Sequence, residues 1–219
     1  MKNVFFLIIN FLIITCSLNL YSQISSKQSK GFIHRTTDEN WNLLKTSTQA
    51  EIMKNYDVAI EFYELFISKV ADQELKHSSY GHMGYCYSNK GKFKEGIYYL
   101  SRYLDFFYQS KTNSLTLEKI NTENQDVGKF LITRGFCKAK LEDFFGAEKD
   151  LTKGINFMEM LVNSAKYNQE WNYETLGFGY LIRGLSKMGM KKVSFCDDLR
   201  KSLELGYIQA IEAIKIYCN

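Results

Sequence analysis

The segment Leu131-Ile-Thr-Arg-Gly-Phe-Cys-Lys138 occurs a second time in the chain as Tyr180-Leu-Ile-Arg-Gly-Leu-Ser-Lys187. Each copy is followed by a second matching segment, Asp150-Leu-Thr-Lys-Gly-Ile155 in one case and Asp198-Leu-Arg-Lys-Ser-Leu203 in the other. The arginine and the aspartate are 16 residues apart in the first copy and 15 in the second, so one deleted residue relates the two. Self-similarity of this kind is typical of proteins built from stacked supersecondary units.

The repeated segments have the composition of helices. The chain contains no proline in 219 residues, and proline is the residue that most often interrupts helices and forms turns. A further segment, Tyr80-Gly-His-Met-Gly-Tyr-Cys-Tyr87, places its tyrosines and Gly84 at spacings of four and three, which is one face of a helix. The sequence therefore predicts an all-α fold.

With these residues the chain resembles the tetratricopeptide repeat family, in which each unit of about 34 residues is a pair of antiparallel helices. Small residues in that family stand where the two helices cross. The best-matching unit here has Leu131, Gly135, Leu141, Phe144, Ala147, Leu151 and Ile155 at these positions. Two earlier units match through Tyr80, Gly84, Tyr87, Gly91, Phe93, Gly96 and Leu100, and through Leu43, Ser47, Tyr56, Ala59, Tyr63 and Phe66.

The resemblance implies a TPR-like α-solenoid of antiparallel helix pairs with a C-terminal capping helix. The repeat domain is expected to cover residues 40–219, with units at 40–73, 77–110, 128–161 and 177–206 and a cap at 207–218. The cap would cover the last unit with Ile208, Ile211, Ile214 and Ile216. The chain departs from the family at Phe195, which stands in place of a small crossing residue, and about 15 extra residues follow the second and third units.

The N-terminus has the layout of a secretory signal, with Lys2, an apolar run at 4–14 and smaller residues up to Ser22. We expect a signal peptide at 1–22, a flexible segment at 23–39, and an exported protein that is periplasmic or secreted. The run is too short to span a bilayer, and no transmembrane span is expected in the mature chain. The alternative is an envelope lipoprotein anchored at Cys16, against which Thr15 argues because it is larger than the residue such signals use.

Four cysteines remain after signal removal, in a compartment where disulfides persist, and they allow three full pairings. Cys196 and Cys218 lie equally far from the predicted turn near Gly206, so we expect them to face each other and form a disulfide. Cys86 and Cys137 hold equivalent positions on two first helices and are expected in the core.

The sequence carries no recognisable motif for catalysis or for binding a metal or cofactor. There is no CxxC or HExxH, and His77 and His82 are five residues apart, which predicts surface histidines on different helix faces. Asp197 and Asp198 are adjacent and are expected on a solvated face. Cys86 follows His82 by four residues, but an interior position for the thiol argues against a nucleophile. We therefore expect no enzyme and no cofactor, and the net charge of +4, which is spread along the chain, does not favour nucleic-acid binding.

The resemblance also implies a function, because proteins of this family bind extended peptides or helices on the concave surface of their first helices. Carried over by position, this partner groove would contain Trp41, Leu44, Tyr85, Asn89, Lys129, Phe136, Lys140, Phe178 and Leu185. Aromatic residues with two lysines suit an apolar peptide or a segment with an acidic end. We expect a protein–protein interaction scaffold; the alternative is a sensor or binding module for a small ligand or cell-wall fragment near Phe178.

Overall fold

The computed structural model describes residues 37–110, 125–163 and 170–218, and all regular structure in these ranges is helical. The first range belongs to one compact unit, here the N-terminal unit, and the other two belong to a second, the C-terminal unit. The N-terminal unit contains α1 (Asp38–Ile52), α2 (Tyr56–Lys69), α3 (Gln73–Asn89) and α4 (Phe93–Ser110). The C-terminal unit contains α5 (Gln125–Lys140), α6 (Phe144–Val162), α7 (Glu170–Gly189), α8 (Phe195–Glu204) and α9 (Ala210–Tyr217).

Helices that are consecutive in sequence pack against each other. The pairs are α1 with α2, α3 with α4, α5 with α6, and α7 with α8, and each falls within or close to one predicted repeat unit. In the N-terminal unit α2 also packs on α3, and in the C-terminal unit α7 packs on both α5 and α6. The predicted all-α class is confirmed, and the pairing is the arrangement expected of helical repeats.

All four pairs are joined by the same kind of turn. A residue with positive φ ends each first helix, and the N–H of the next residue donates to the carbonyl five residues back; the left-handed residues are Lys54, Gly91, Glu142 and Lys191. This is the Schellman arrangement, which satisfies carbonyls at the end of a helix. Only one of the four left-handed residues, Gly91, is a glycine, so the sequence predicts only one of these turns. The same turn also joins α8 to α9, where Gly206 is the left-handed residue and the Tyr207 N–H donates to the Ser202 carbonyl.

The crossing point of three pairs is set by a glycine against a leucine. A Cβ on Gly84 would lie 2.6 Å from Leu100 Cγ, and one on Gly135 would lie 2.6 Å from Leu151 Cγ. At Gly184 the same atom would lie 2.9 Å from Leu199 Cδ2, and all three leucines are fully buried. The glycines therefore let the paired helices approach, as the repeat pattern predicts.

The crossing also explains the departure at Phe195. Phe195 faces Gly184 through its backbone carbonyl oxygen, which is 3.0 Å from the position of an added Cβ. Gly96 and Ala147 present their carbonyls to Gly84 and Gly135 in the same way. Because Phe195 contacts Gly184 through its backbone and not through its side chain, a phenylalanine fits where the family has a small residue.

The predicted packing of the cap is wrong for three of its four isoleucines, and the fourth, Ile214, is half-buried. Helix α9 begins at Ala210, not at residue 207, and it buries Ala210 and Ala213. Ile208, Ile211 and Ile216 are 66%, 36% and 51% exposed. Small side chains face inward because α9 lies close to α8, where the Cα atoms of Cys196 and Cys218 are 5.6 Å apart.

Two smaller boundaries also differ from prediction. Leu141 lies in the turn after α5 and is 42% exposed, so it does not belong to the first helix of its unit. Residues 38 and 39 are the first turn of α1, which Thr37 caps by accepting from the backbone N–H of Asn40, so the N-terminal segment ends earlier than residue 39. The predicted signal at 1–22, with Cys16 and the cleavage site, lies outside the described residues. In the described ranges, no helix has both the length and the apolarity needed to cross a membrane.

Candidate partner-binding surface

The predicted groove residues of the N-terminal unit lie on its two first helices. Trp41 and Leu44 are half-buried on α1, and Leu44 packs against the hydrophobic core of the unit. Tyr85 and Asn89 are half-buried on α3, where Asn89 Nδ2 donates to the Tyr85 carbonyl at 2.9 Å. The asparagine amide therefore caps a carbonyl of its own helix.

In the C-terminal unit the predicted residues meet in a row of rings. The ring centroids of Phe136 on α5 and Phe178 on α7 are 5.5 Å apart, and Tyr207, just before α9, continues the row at 6.0 Å from Phe178. These three residues form what we call the aromatic row. Phe136 and Tyr207 are 7% and 4% exposed, whereas Phe178 is half-buried. Phe178 is therefore the member that a partner can reach.

Two lysines on α5 lie close to aromatic rings. Lys140 Nζ is 5.8 Å from the Phe136 ring centroid, and Lys129 Nζ is 5.6 Å from that of Phe130. Burial of Lys140 lowers the pKa of its amine to about 8, because the charged form loses hydration. Lys129 is half-buried and retains access to solvent. The two rings beside these lysines are themselves buried, so the lysines and not the rings are the groups that a ligand can reach here.

Leu185 differs from the other predicted groove residues. Its side chain is 1% exposed and belongs to the core of the C-terminal unit. The contacts join Phe136, Lys140 and Phe178 in one place and leave Leu185 out of reach of a partner in this conformation. The candidate surface of the C-terminal unit is therefore the aromatic row with Lys129 and Lys140.

A buried polar cluster in the N-terminal unit went unpredicted. Glu51 at the end of α1 is 2% exposed and accepts a hydrogen bond from the Tyr63 hydroxyl at 2.9 Å. His82 Nδ1 lies 3.0 Å from the same carboxylate oxygen, and its ring stacks on Tyr63. Burial, with the nearby Glu51 charge, raises the pKa of Tyr63 well above its usual range. The surface position predicted for His82 is wrong, because the cluster draws its ring to the junction of α1, α2 and α3.

No pattern in the sequence predicts this cluster, because Glu51 and His82 are 31 residues apart and belong to different helix pairs. His77 points elsewhere, as its spacing from His82 predicted. Its ring stacks on Phe106 at 4.0 Å, its Nδ1–H donates to the Arg102 carbonyl, and burial lowers its pKa. Among the described residues no group of three His, Cys, Asp or Glu side chains could hold a metal ion.

The repeated arginine and aspartate form buried ion pairs. Arg134 donates through Nε and Nη2 to the two oxygens of Asp150, both at 2.8 Å, and Lys138 Nζ lies 2.7 Å from Asp150 Oδ2. Arg183, Lys187 and Asp198 repeat this arrangement at 2.7 to 2.9 Å. The solvated position predicted for Asp198 is therefore wrong, because its side chain is 5% exposed; that of Asp197 is 79% exposed.

The structure contains the disulfide predicted between Cys196 and Cys218. The bond ties the start of α8 to the residue after α9, and Arg200 Nη2 donates to the Cys218 carbonyl at 3.2 Å. Cys86 and Cys137 are fully buried in the cores of their units, as their equivalent positions predicted. The cysteines that the structure describes therefore serve packing and the attachment of the cap.

Comparison with protein-family models gives no match for this chain, and neither does a search of curated proteins. The resemblance to tetratricopeptide repeats consequently rests on the internal pattern of the chain. That pattern now includes three glycine–leucine crossings and four equivalent turns.

Proposed function

We propose that the protein is an exported TPR-like α-solenoid that binds a peptide or helix of another protein and catalyses no reaction. The support for the family is the recurrence of one helix pair, with the same turn and the same glycine–leucine crossing. Repeats of this type gain stability from neighbouring units and leave one face of their first helices for recognition. No cofactor enters the proposal.

The observation that carries the binding proposal is the aromatic row beside Lys129 and Lys140. Phe136 and Phe178 come from the first helices of successive pairs, α5 and α7, which pack side by side. A half-buried ring, that of Phe178, on the same unit as two lysines favours an apolar side chain of the partner with a carboxylate nearby. Because the rigid helices hold these groups in place, little ordering is needed when a partner binds.

Export is the second part of the proposal. The Cys196–Cys218 disulfide supports it, since such bonds persist in oxidising compartments and are rare in reducing ones. The sequence of the first 22 residues supports it independently. Whether the mature protein is periplasmic, secreted or lipid-anchored at Cys16 can be decided by the mass of the N-terminal peptide isolated from the producing cell.

A photo-crosslinking experiment tests the binding surface. Benzoyl-phenylalanine in place of Phe178 should capture one partner protein, whereas the same residue in place of Phe145 should not. Phe145 is a matched control because it is an aromatic residue on α6 of the same unit and is 74% exposed. Equal capture at both positions, or none at Phe178, would contradict the proposal.

The affinity for the captured protein can then be measured with variants that keep the fold. Phe178→Ala should weaken binding at least tenfold, the loss expected at a central aromatic contact. If the partner contributes a carboxylate, Lys129→Glu should also weaken binding, and the loss should be larger at low salt than at high salt. If instead no protein is captured and cell-wall fragments raise the melting temperature in a way that Phe178→Ala abolishes, the alternative of a small-ligand module replaces the scaffold.

A further inference from the structure

The helix pair α1–α2 has an open groove along one side. We call it the α1–α2 groove, and its lining includes Asn42, Thr46, Gln49, Met53, Asn55 and Val58. Met53 is 70% exposed and Val58 is half-buried, so apolar side chains of the groove face solvent. Leu65, which is 42% exposed, lies two turns after Val58 on the same side of α2 and continues this surface. The pair therefore presents an apolar strip with polar residues beside it.

We propose that residues 23–36, the stretch of chain that precedes α1, dock in the α1–α2 groove with Phe32 and Ile33 as the anchoring side chains. In arrays of helix pairs each pair covers its neighbour, and the pairs at the two ends need a cap. Helix α9 follows the last pair, and the docked stretch serves the first. The proposal is independent of the aromatic row, and it holds whether or not the first 22 residues are removed, because residues 23–36 remain in both cases.

The stretch enters at one end of the groove. Glu39 in the first turn of α1 forms an ion pair with Lys69 at the end of α2. Leu65 is about one turn before Lys69, so the start of α1 and Leu65 lie at the same end of the pair. Thr37, the cap of α1, has extended backbone with φ −72° and ψ 160°. The chain that leads into Thr37 therefore arrives, in extended form, at the end of the groove marked by Leu65.

The stretch is also long enough. Phe32 is five residues before Thr37, and an extended chain covers at most about 3.4 Å per residue, so Phe32 reaches about 17 Å from Thr37. Along α1, Asn42 and Thr46 are about 7.5 and 13.5 Å from the same residue at 1.5 Å per residue. By turning back along α1, the stretch therefore brings Phe32 and Ile33 level with the lining residues of the groove.

The composition of the stretch matches the groove. Phe32 and Ile33 are the one place between residues 23 and 36 where two large apolar residues are adjacent, and they suit the exposed apolar side chains of the groove. An extended segment also brings backbone N–H and C=O groups that need partners once they are covered. The side-chain amides of Asn42 and Gln49, both exposed at the groove, can donate and accept such bonds.

Tethering favours this occupant over a separate molecule. A groove along a single helix pair offers less area than stable complexes between separate proteins bury. A segment joined to α1 by a few residues needs less area, because its effective concentration at the groove is in the millimolar range and little translational freedom is lost on docking. The same groove that is too small for a lasting contact with another protein is therefore sufficient for the chain's own N-terminal stretch.

Photo-crosslinking tests the proposal with the full chain as isolated from its producing cells. Benzoyl-phenylalanine in place of Phe32 should form links to peptides from residues 42–65, and a mixture of unlabelled and ¹⁵N-labelled chains should show that each link lies within one chain. Leu65→Asp should abolish these links. Tyr98→Asp should not, and it is a matched control because Tyr98 is a large residue of the same unit that is 56% exposed on α4.

Thiol labelling measures how much of the groove is covered. Gln49→Cys should react at least about tenfold more slowly with a soluble thiol reagent in the original chain than in a Phe32→Ser/Ile33→Ser background, because burial of two large apolar side chains favours docking. Lys94→Cys, at an exposed position of α4, should react at the same rate in both backgrounds. Links that join two chains, links to a different protein, no link to residues 42–65, or equal labelling of Gln49→Cys in both backgrounds would overturn the proposal.

Discussion

The helix pair α3–α4 of the N-terminal unit and the pair α5–α6 of the C-terminal unit cross in the same way but are fastened differently. When Gly84 is matched with Gly135, Tyr87 corresponds to Lys138 and Tyr99 corresponds to Asp150. Tyr87 and Tyr99 stack with parallel rings at 5.3 Å, whereas Lys138 and Asp150 form an ion pair that Arg134 completes. The same two positions therefore hold the paired helices together by aromatic stacking in the N-terminal unit and by opposite charges in the C-terminal unit.

The difference separates what the helix pair requires from what it tolerates. The glycine, the leucine and the turn recur because they fix how closely the two backbones approach. The neighbouring positions need only two side chains that attract each other across the crossing. A buried carboxylate with two cations does this at the cost of desolvating three charges, and two tyrosines do it without that cost.

Removing the shared carboxylate should have the largest effect. Asp150→Ala leaves Arg134 and Lys138, whose side chains are 14% and 22% exposed, without their carboxylate partner, and the free energy of unfolding should fall by about 3–5 kcal/mol. Asp198→Ala should cost a similar amount because Arg183 and Lys187 repeat the geometry. Urea unfolding followed by circular dichroism measures both.

The surface pair of Lys90 and Asp57 provides the control for this loss. Asp57 is 80% exposed, so Asp57→Ala should cost no more than about 1 kcal/mol.

A triple variant tests whether the two kinds of contact are interchangeable. Arg134→Met/Lys138→Tyr/Asp150→Tyr gives α5–α6 the residues that α3–α4 has at the same positions, which are Met83, Tyr87 and Tyr99. The triple variant should recover most of the lost stability, since replacing a whole buried ion cluster by apolar groups is often neutral. A triple variant as unstable as Asp150→Ala would show that the two fastenings are not interchangeable.

These pairs also show how far the sequence could be interpreted. The glycines at spacings near 50 and the matching Arg–Asp segments were sufficient to predict the helix pairs, because close backbone approach requires small residues at fixed places. The same segments did not show that Asp198 is buried, since burial depends on how Arg183 and Lys187 fold over it. The predicted inward face of α9 is wrong because large apolar side chains are not always the buried ones: close to α8, the small Ala210 and Ala213 face inward.

The candidate surface was predictable only in part for a similar reason. Position within the repeat grouped Phe136, Phe178 and Lys140, and in the structure Phe136 lies close to both of the others. It also included Leu185, the residue of α7 that corresponds to Phe136, although that side chain is in the core. The cluster of Glu51, Tyr63 and His82 escaped prediction because it joins two helix pairs, and a repeat pattern describes only what lies within one.

The disulfide should produce the second largest effect and one confined to the C-terminal unit. Cys196→Ser/Cys218→Ser should lower the free energy of unfolding by about 3 kcal/mol, because the 22-residue loop it closes is freed in the unfolded chain. Hydrogen exchange should accelerate in α8 and α9 and stay unchanged in α3 and α4. A reductant should reproduce this change in the original chain and leave the double serine variant unaffected; acceleration in α3 would contradict a local role.

Alanine at the crossing glycines should have a smaller cost that differs between the two pairs. At Gly84 the new Cβ would meet the Leu100 backbone nitrogen at 2.8 Å and the Gly96 oxygen at 3.0 Å, and neither can move aside. At Gly135 the nearest backbone atom is the Ala147 oxygen at 3.2 Å, and the tighter contact is with the Leu151 side chain. Overpacking should cost about 1–3 kcal/mol, and the better helix propensity of alanine should return up to about 1 kcal/mol. Both variants should therefore lose stability, and the loss should be larger at Gly84. Thermal unfolding of the two variants gives the order, and an equal loss would mean that α4 shifts as freely as the Leu151 side chain.

The smallest effect should be the coupling between the two stacked tyrosines. A double-mutant cycle with Tyr87→Leu and Tyr99→Leu removes the stacking while keeping apolar contact, and aromatic pairs contribute about 0.5–1.5 kcal/mol beyond their buried area. The same cycle with Lys138→Met and Asp150→Leu, made in an Arg134→Met background so that no second cation is left over, should give a larger coupling, because each single change then leaves a charge in a site where water is mostly excluded. If the two coupling energies were equal, the ion pair between α5 and α6 would add nothing beyond what the stacked tyrosines supply between α3 and α4. A larger ionic coupling, with Arg134→Met/Lys138→Met/Asp150→Leu as stable as the original chain, would instead show that the ions depend on one another but add no net stability, because their attraction only offsets the cost of removing them from water.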